Sequence, residues 1–158
     1  MKKPFFKLFL SVAALLMITS PVHADEKVNK AMIALKQELA KKGEPRLEGN
    51  QLFFGSYKVN DNFEVVDDIK TKHGGTATLF VKEGSNYIRR STNVMKDGKR
   101  AVGTPLDPSG PAKAAIDGGK PFYGPVDILG KIFQTGYEPI QDVSGSTIGI
   151  YYVGYSLE

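Results

Sequence analysis

Cysteine and tryptophan are absent from the 158-residue chain, and histidine occurs only at positions 23 and 73. Without cysteine there are no disulfides, thiol nucleophiles or thiolate-bound metals. A His-rich metal site is excluded, and a Ser-His-Asp triad would depend on His73 alone, because His23 lies in a segment that we expect to be removed. No phosphate-loop or calcium-loop spacing is present either. The composition therefore predicts a protein that is not an enzyme and uses no metal or cofactor.

Long apolar segments are scarce, and the one near the start, Leu8–Ile18, covers only 11 residues. A transmembrane helix needs about 20. The segment follows three lysines and precedes the small-residue site Val22-His23-Ala24. A basic start, a short apolar middle and a small-residue end are typical of a secretory signal peptide. We therefore predict a signal peptide over residues 1–24 and a periplasmic location, with an uncleaved membrane anchor as the alternative.

The excess of basic residues is small once this segment is set aside. Without Lys2, Lys3 and Lys7, 18 basic residues oppose 17 acidic ones, so residues 25–158 carry a net charge of +1. Such a balance argues against nucleic-acid binding by bulk charge. The remaining 134 residues suffice for one domain with its own core. We predict a single domain over residues 25–158.

The first part of this domain has the pattern of an amphipathic helix. Asp25 is a suitable N-cap, and apolar residues follow at spacings of four, three and four. These residues are Val28, Met32, Leu35 and Leu39. Gly43 and Pro45 predict the end of the helix after residue 42. The pattern favours a helix that packs on a sheet, with a coiled-coil partner helix as the alternative.

Short β-like runs follow, with two short helices among them. The runs are Gln51–Tyr57, Thr76–Lys82, Tyr87–Val94, Lys120–Ile128, Lys131–Gln141 and Thr147–Ser156, and the predicted helices lie in Asp61–Lys72 and Pro108–Asp117. Turn residues separate the runs, which is typical of an antiparallel meander. We therefore predict an α+β fold, in which a long N-terminal helix packs on a central antiparallel sheet with small helical insertions.

A four-residue turn, Glu83–Asn86, closes the clearest hairpin. Simple pairing across it places Phe80 opposite Arg89 and Thr78 opposite Ser91, all on one face, with Arg90 on the other face. The planar guanidinium of Arg89 could hold a carboxylate by two parallel hydrogen bonds, with the hydroxyl of Ser91 adding a third. The alternative is that Arg89 is a solvated surface charge or a member of a structural ion pair.

The later strands add aromatic candidates. In the run that begins at Lys131, alternation places Phe133 and Tyr137 on the same face as that lysine, and Phe122 lies in the run before it. Core packing is the alternative explanation for these aromatic residues.

As an ordered set, the motifs of this chain resemble the single Cache domains of bacterial extracytoplasmic sensors. They are TATLF (76–80), YIRRSTNV (87–94), DGKRAVGT (97–104), GKPFYG (119–124), ILGK (128–131), TGYEPI (135–140) and IGIYYVG (148–154). The resemblance implies a PAS-like fold with a pocket for a small organic acid or amino acid. By position it implies ligand roles for Arg89, Lys131 and Tyr137, with Phe133 where an aromatic residue is usual.

The sequence is compatible with two functions. Cache sensors usually carry flanking transmembrane helices and an output domain, whereas here Leu157 and Glu158 directly follow the last strand. We therefore expect a free periplasmic binding protein that captures a small carboxylate and presents it to a membrane sensor or transporter. The alternative is an interaction module with a vestigial pocket, which forms a homodimer through the 26–42 helix.

The predicted signal peptide has a direct test. Cleavage after Ala24 leaves Asp25 as the N-terminal residue, because the small-residue site ends there. We expect mass spectrometry of the exported protein to find a chain that begins at Asp25. A chain that retains Leu8–Ile18 would support the membrane anchor instead.

Overall fold

The structure is a computed structural model that describes residues 25–158, so the predicted signal peptide lies outside the described residues. Three helices and ten strands follow one another along this part of the chain. They are α1 (Glu26–Ala40), β1 (Pro45–Glu48), β2 (Gln51–Phe54), β3 (Tyr57–Lys58), α2 (Glu64–His73), β4 (Thr76–Glu83), β5 (Asn86–Thr92), β6 (Met95–Lys96), β7 (Lys99–Arg100), α3 (Pro111–Asp117), β8 (Phe122–Ile128), β9 (Lys131–Gln141) and β10 (Thr147–Ser156).

The central sheet has five antiparallel strands in the order β5-β4-β10-β9-β8. A small sheet of β1, β2 and β3 and the β6–β7 hairpin complete the strands of the described chain. The predicted α+β class, with a long first helix and an antiparallel sheet, is confirmed. The sequence did not predict β1, and the run Gln51–Tyr57 is divided between β2 and β3.

Helix α1 is built as its sequence pattern predicts. The side chain of Asp25 accepts a hydrogen bond from the backbone N–H of Lys27 at 2.8 Å and so caps the first turn. The apolar stripe of α1 is buried against the sheet, and its members join the core on this side. Helix α2 packs on the same side and ends at Gly74, whose φ of 72° suits glycine.

Each face of the central sheet has its own core. The face under α1 and α2, here called the helix face, carries Leu79, Val81 and Val153. The opposite face is covered by the segment from residue 93 to residue 121, which includes α3, and is here called the loop face. Phe80, Tyr137, Ile150 and Tyr152 of the sheet and Val94, Ala101, Leu106, Ala112 and Ile116 of the covering segment form its core.

A β-bulge changes the predicted register of the β4–β5 hairpin. Phe80 lies opposite Arg89 as predicted, but Thr78 lies opposite Thr92, and Leu79 lies opposite Ser91. The register shifts because Arg90 is an extra residue on β5, and such a residue moves the residues after it to the other face. The predicted pairing of Thr78 with Ser91 is therefore wrong.

The packing of α1 can be tested with two positions on the same helix. Leu35 is fully buried, whereas Ile33 is 56% exposed. Leu35→Ala leaves a cavity under the helix, and we expect it to lower the free energy of unfolding by about 3 kcal/mol in urea denaturation. Ile33→Ala should change it by less than about 0.5 kcal/mol. Equal losses would contradict this arrangement of the helix.

Candidate ligand-binding site

Four aromatic rings from four neighbouring strands form a continuous floor on the loop face. The ring of Tyr137 is at the centre, with its centroid 5.0 Å from that of Tyr152, 6.3 Å from that of Phe122 and 6.4 Å from that of Phe80. The pairs are tilted, as aromatic rings prefer. The strand register explains the arrangement, because Tyr152 lies opposite Tyr137 and Tyr137 lies opposite Phe122 on neighbouring strands. The floor is mostly apolar.

Glycine makes room for two of these rings. A Cβ atom at Gly154 would lie 2.1 Å from the hydroxyl of Tyr152, so this tyrosine lies across the sheet over the glycine. The hydroxyl reaches the Oγ1 atom of Thr76 at 3.0 Å. Phe122 lies close to Gly124 in the same way, since a Cβ atom there would be 3.3 Å from the ring. The floor therefore depends on glycines one row further along the strands.

Arg89 lies at one side of this floor and is buried, with 5% of its surface exposed. Its guanidinium carbon is 4.9 Å from the ring centroid of Phe80, which is within the range of a cation–π contact. One terminal nitrogen, Nη1, donates to the Oγ1 atom of Thr104 and to the carbonyl of Pro105, both at 3.0 Å. The guanidinium thus lies between the sheet and the covering residues Thr104 and Pro105.

The charge of Arg89 has no counter-ion in the described chain. None of the ion pairs within residues 25–158 includes it, and its Nε atom is buried without a hydrogen-bond partner. Burial lowers the pKa of the guanidinium, whereas Tyr137 and Tyr152 raise it. Arginine stays protonated in proteins, so its burial leaves a charged group poorly solvated. The site therefore holds an uncompensated positive charge against an aromatic surface.

Residues 101–106 cover Arg89 as an irregular strand beside β5. The backbone N–H of Arg89 donates to the carbonyl of Thr104 at 3.0 Å, and the N–H of Gly103 donates to the carbonyl of Arg89 at 2.8 Å. The N–H of Leu106 donates to the carbonyl of Tyr87 at 2.8 Å. Sequence reasoning did not identify Thr104, Pro105 or Tyr152 at this site. The alternation of the last strand could have identified Tyr152.

The predicted site residues fall into three groups. Arg89, Phe80, Phe122 and Tyr137 lie together on the loop face. Ser91 does not join them, because the bulge places it opposite Leu79, and its Oγ atom donates to the carbonyl of Asn62 at 2.6 Å. Arg90 forms an ion pair with Glu83 and is not the arginine of this site.

Lys131 and Phe133 form the third group and line a separate cavity of about 230 Å³. Arg89 is not among its lining residues. The register explains the separation. Phe80 lies opposite Arg89 on one side and opposite Ile150 on the other, and Ile150 lies opposite Pro139, so these residues form one row across the sheet. Lys131 lies eight residues before Pro139 on β9. That length of strand spans about 27 Å, so one small ligand cannot contact both Arg89 and Lys131.

A family model described as the Cache 3/Cache 2 fusion domain matches residues 14–158. The chain belongs to this family. No curated protein matches it. The match to the family model confirms the resemblance to Cache domains that the sequence motifs indicated. Cache domains are extracytoplasmic domains that sense small molecules, and as a class they are sensor modules, not enzymes. In residues 25–158 of this Cache domain, no helix is both long enough and apolar enough to cross a membrane.

The uncompensated charge has a measurable consequence for stability. Arg89→Met replaces a desolvated guanidinium with an apolar chain, and we expect the free energy of unfolding without ligand to stay the same or rise by about 1 kcal/mol. Arg100→Met is the matched control, because Arg100 binds both carboxylate oxygens of Asp67, at 2.7 and 2.8 Å. It should lower the free energy of unfolding by about 1 kcal/mol. A larger loss in Arg89→Met than in the control would identify Arg89 as a structural residue instead.

Proposed function

We propose that this Cache domain binds a small carboxylate, such as an organic acid or an amino acid, through Arg89. The observation that carries the proposal is the buried guanidinium without a counter-ion. A buried charge is normally paired, because its desolvation is costly. A ligand carboxylate in contact with Arg89 would supply the missing partner.

The geometry of the guanidinium fits this role. Nη1 is already used by Thr104 and Pro105, whereas Nε has no partner, and no hydrogen bond from Nη2 is found within residues 25–158. Nε–H and the adjacent Nη2–H form the side-on edge of the fork, which binds a carboxylate through two parallel hydrogen bonds. Because residues 101–106 hold the opposite edge, the guanidinium is oriented before a ligand arrives.

The aromatic floor would contact the rest of the ligand. Tyr137 lies beside Arg89, and its hydroxyl makes no hydrogen bond to another described residue. Burial raises the pKa of this hydroxyl, so it stays protonated and can donate to a ligand oxygen. Phe122 and Phe80 offer apolar contact on either side. This combination of a few polar groups and apolar walls is typical of small-molecule sites.

For the role in the cell, we propose that the protein is periplasmic and presents its ligand to a membrane sensor or transporter. Two observations support this. The first 24 residues have the pattern of a signal peptide, and Cache domains as a class are extracytoplasmic.

The alternative, homodimerisation through the 26–42 helix, has little support from the geometry. The apolar stripe of α1 is buried against the sheet of the same chain. Ile33 is its one large apolar residue that is exposed. A dimer interface needs a larger apolar patch than one side chain.

The proposed function can be tested by a thermal-shift screen of the purified protein. The probes are acetate, lactate, succinate, citrate, the common amino acids and, as a class without a carboxylate, purines. A ligand at 100 times its Kd stabilises the folded state by about 2.7 kcal/mol, which gives an easily measured rise in Tm. We expect a carboxylate to produce this rise, and Arg89→Met to abolish it.

Arg90→Met is the matched control for this screen. Arg90 is the next residue on the same strand and pairs with Glu83, so its replacement should leave the ligand-induced shift unchanged. A shift that persists in Arg89→Met and disappears in Arg90→Met would overturn the assignment of the anchor. No shift with any carboxylate, in a protein that unfolds cooperatively, would contradict the proposed function and favour an interaction module.

A further inference from the structure

A cavity of about 550 Å³ opens on the loop face, at the end of the sheet where the β4–β5 and β9–β10 hairpins turn. Residues from four neighbouring strands form its floor. Lys82 of β4 lies opposite Tyr87 of β5. Thr147 of β10 lies opposite Gln141 of β9. The floor is therefore a row of polar residues across the sheet.

The end of α3 forms a wall of this cavity. Asp117 is the last residue of the helix, and Gly118 and Gly119 follow it. Gly119 has a φ of 70°, which suits glycine, and a Cβ atom there would lie 3.6 Å from the Nε2 atom of Gln141. The backbone after α3 therefore lies close to the amide of Gln141 and bounds the cavity on this side.

The lining carries one positive and one negative side chain. Lys82 belongs to none of the ion pairs in residues 25–158. Asp117 accepts a hydrogen bond from the hydroxyl of Tyr87 at 3.1 Å and pairs with the Nζ atom of Lys113 at 2.6 Å. Lys113 above all, and also Tyr87 and Lys82, lower the pKa of this carboxyl, so it stays ionised. The lining therefore has no net charge.

This balance disfavours a free anion or a metal ion as the ligand. An anion at Lys82 would also approach the carboxylate of Asp117. The backbone N–H groups of Gly118 and Gly119 already donate to carbonyls of α3, at 3.1 and 2.8 Å, so they offer an anion nothing. In residues 25–158 no group of three or more metal-ligating side chains occurs, so a metal ion would find only Asp117. A neutral ligand fits these charges better.

The polar groups that remain match hydroxyl groups. The amide of Gln141 and the hydroxyl of Thr147 make no hydrogen bond to another residue of the described chain. Both can donate and accept, as a ligand hydroxyl does, while Lys82 donates and Asp117 accepts. The ring of Tyr87 is only 1% exposed, so it gives little apolar contact. Since most small-molecule pockets are mainly apolar, such a polar lining favours a ligand covered with hydroxyl groups.

We propose that this cavity binds a neutral sugar, either a monosaccharide or a disaccharide. Hydroxyl groups of the sugar bond to Lys82, Asp117 and Gln141. The volume lies in the usual range of small-molecule pockets, about 300–1,000 Å³. A sugar ring holds its hydroxyls in fixed positions, so it loses less conformational freedom on binding than an open-chain polyol. The site is separate from the proposed carboxylate site, because Arg89 does not line this cavity.

Titration of the purified protein, followed by ¹H–¹⁵N NMR spectra, tests the proposal. The probes are glucose, galactose, mannose and maltose, with sorbitol as the open-chain polyol. We expect at least one sugar to bind with a millimolar Kd, because each hydrogen bond to the protein replaces one to water. Sorbitol should bind at least threefold more weakly. The amide signals that shift should be those of Gly118, Gly119 and Gly145, which line the cavity.

Three substitutions test the contacts with the sugar. Lys82→Met and Gln141→Ala should each weaken binding about three- to tenfold, the loss expected for one hydrogen bond, and should leave Tm unchanged because neither side chain has a partner in the described chain. Asp117→Ala should weaken it about tenfold or more, because hydrogen bonds to charged groups are stronger. Lys120→Gln is the matched control. This exposed lysine follows Gly119 but does not line the cavity, so the Kd should not change.

Three results would overturn the proposal. The first is that no sugar shifts these amide signals at several hundred millimolar in a folded protein. The second is that sorbitol binds as tightly as the sugars, or that Lys82→Met and Gln141→Ala both leave the Kd unchanged. The third comes from titrations with acetate and glycine. If either binds at these amide signals more tightly than every sugar, the cavity takes a charged ligand instead.

Discussion

The central constraint on this Cache domain is that both faces of its five-stranded sheet are buried. Helices α1 and α2 cover one face, and the segment from residue 93 to residue 121 covers the other. Any polar side chain that a central strand sends to either face must therefore find a partner inside the protein. Thr135 finds one in the carbonyl of Gly124 at 2.6 Å, and Thr78 finds one in Thr92. Arg89 on the edge strand β5 differs, because it finds only the neutral partners Thr104 and Pro105, and its charge has no acidic partner among the described residues.

The bulge at Arg90 decides which polar residues face which core. Without it, Ser91 would lie on the loop face beside Arg89. With it, Ser91 bonds to the carbonyl of Asn62 on the helix face, and Thr92 takes the position opposite Thr78. Asn93 then holds the start of β4 to α2 through both ends of its amide. One extra residue thus fixes the attachment of α2 and leaves Arg89 as the charged side chain of β5 on the loop face.

Much of the fold follows from local patterns in the sequence. The stripe of α1 has a helical period and a capping aspartate, and the β4–β5 hairpin has a turn with glycine at a positive φ. These signals depend on neighbours within a few residues, so they survive without knowledge of the rest of the chain. The resemblance of the ordered motifs then identified the family, and with it the general class of function. The opposition of Phe80 and Arg89, and the shared face of Phe133 and Tyr137, also follow from alternation alone.

The sequence by itself determined helix α1, the five strands of the central sheet and the family, together with the arginine that faces the aromatic floor. The tertiary structure decided the rest, for reasons of distance and register. A bulge has no local sequence signal here, so the position of Ser91 required the paired strand. The cover of Arg89 by Thr104 and Pro105 joins separate segments of the chain, and so does the cavity that both Lys70 and Lys131 line. Alternation assigns Lys131 and Tyr137 to one face, but only the length of β9 shows that a small ligand cannot reach from Lys131 to Arg89.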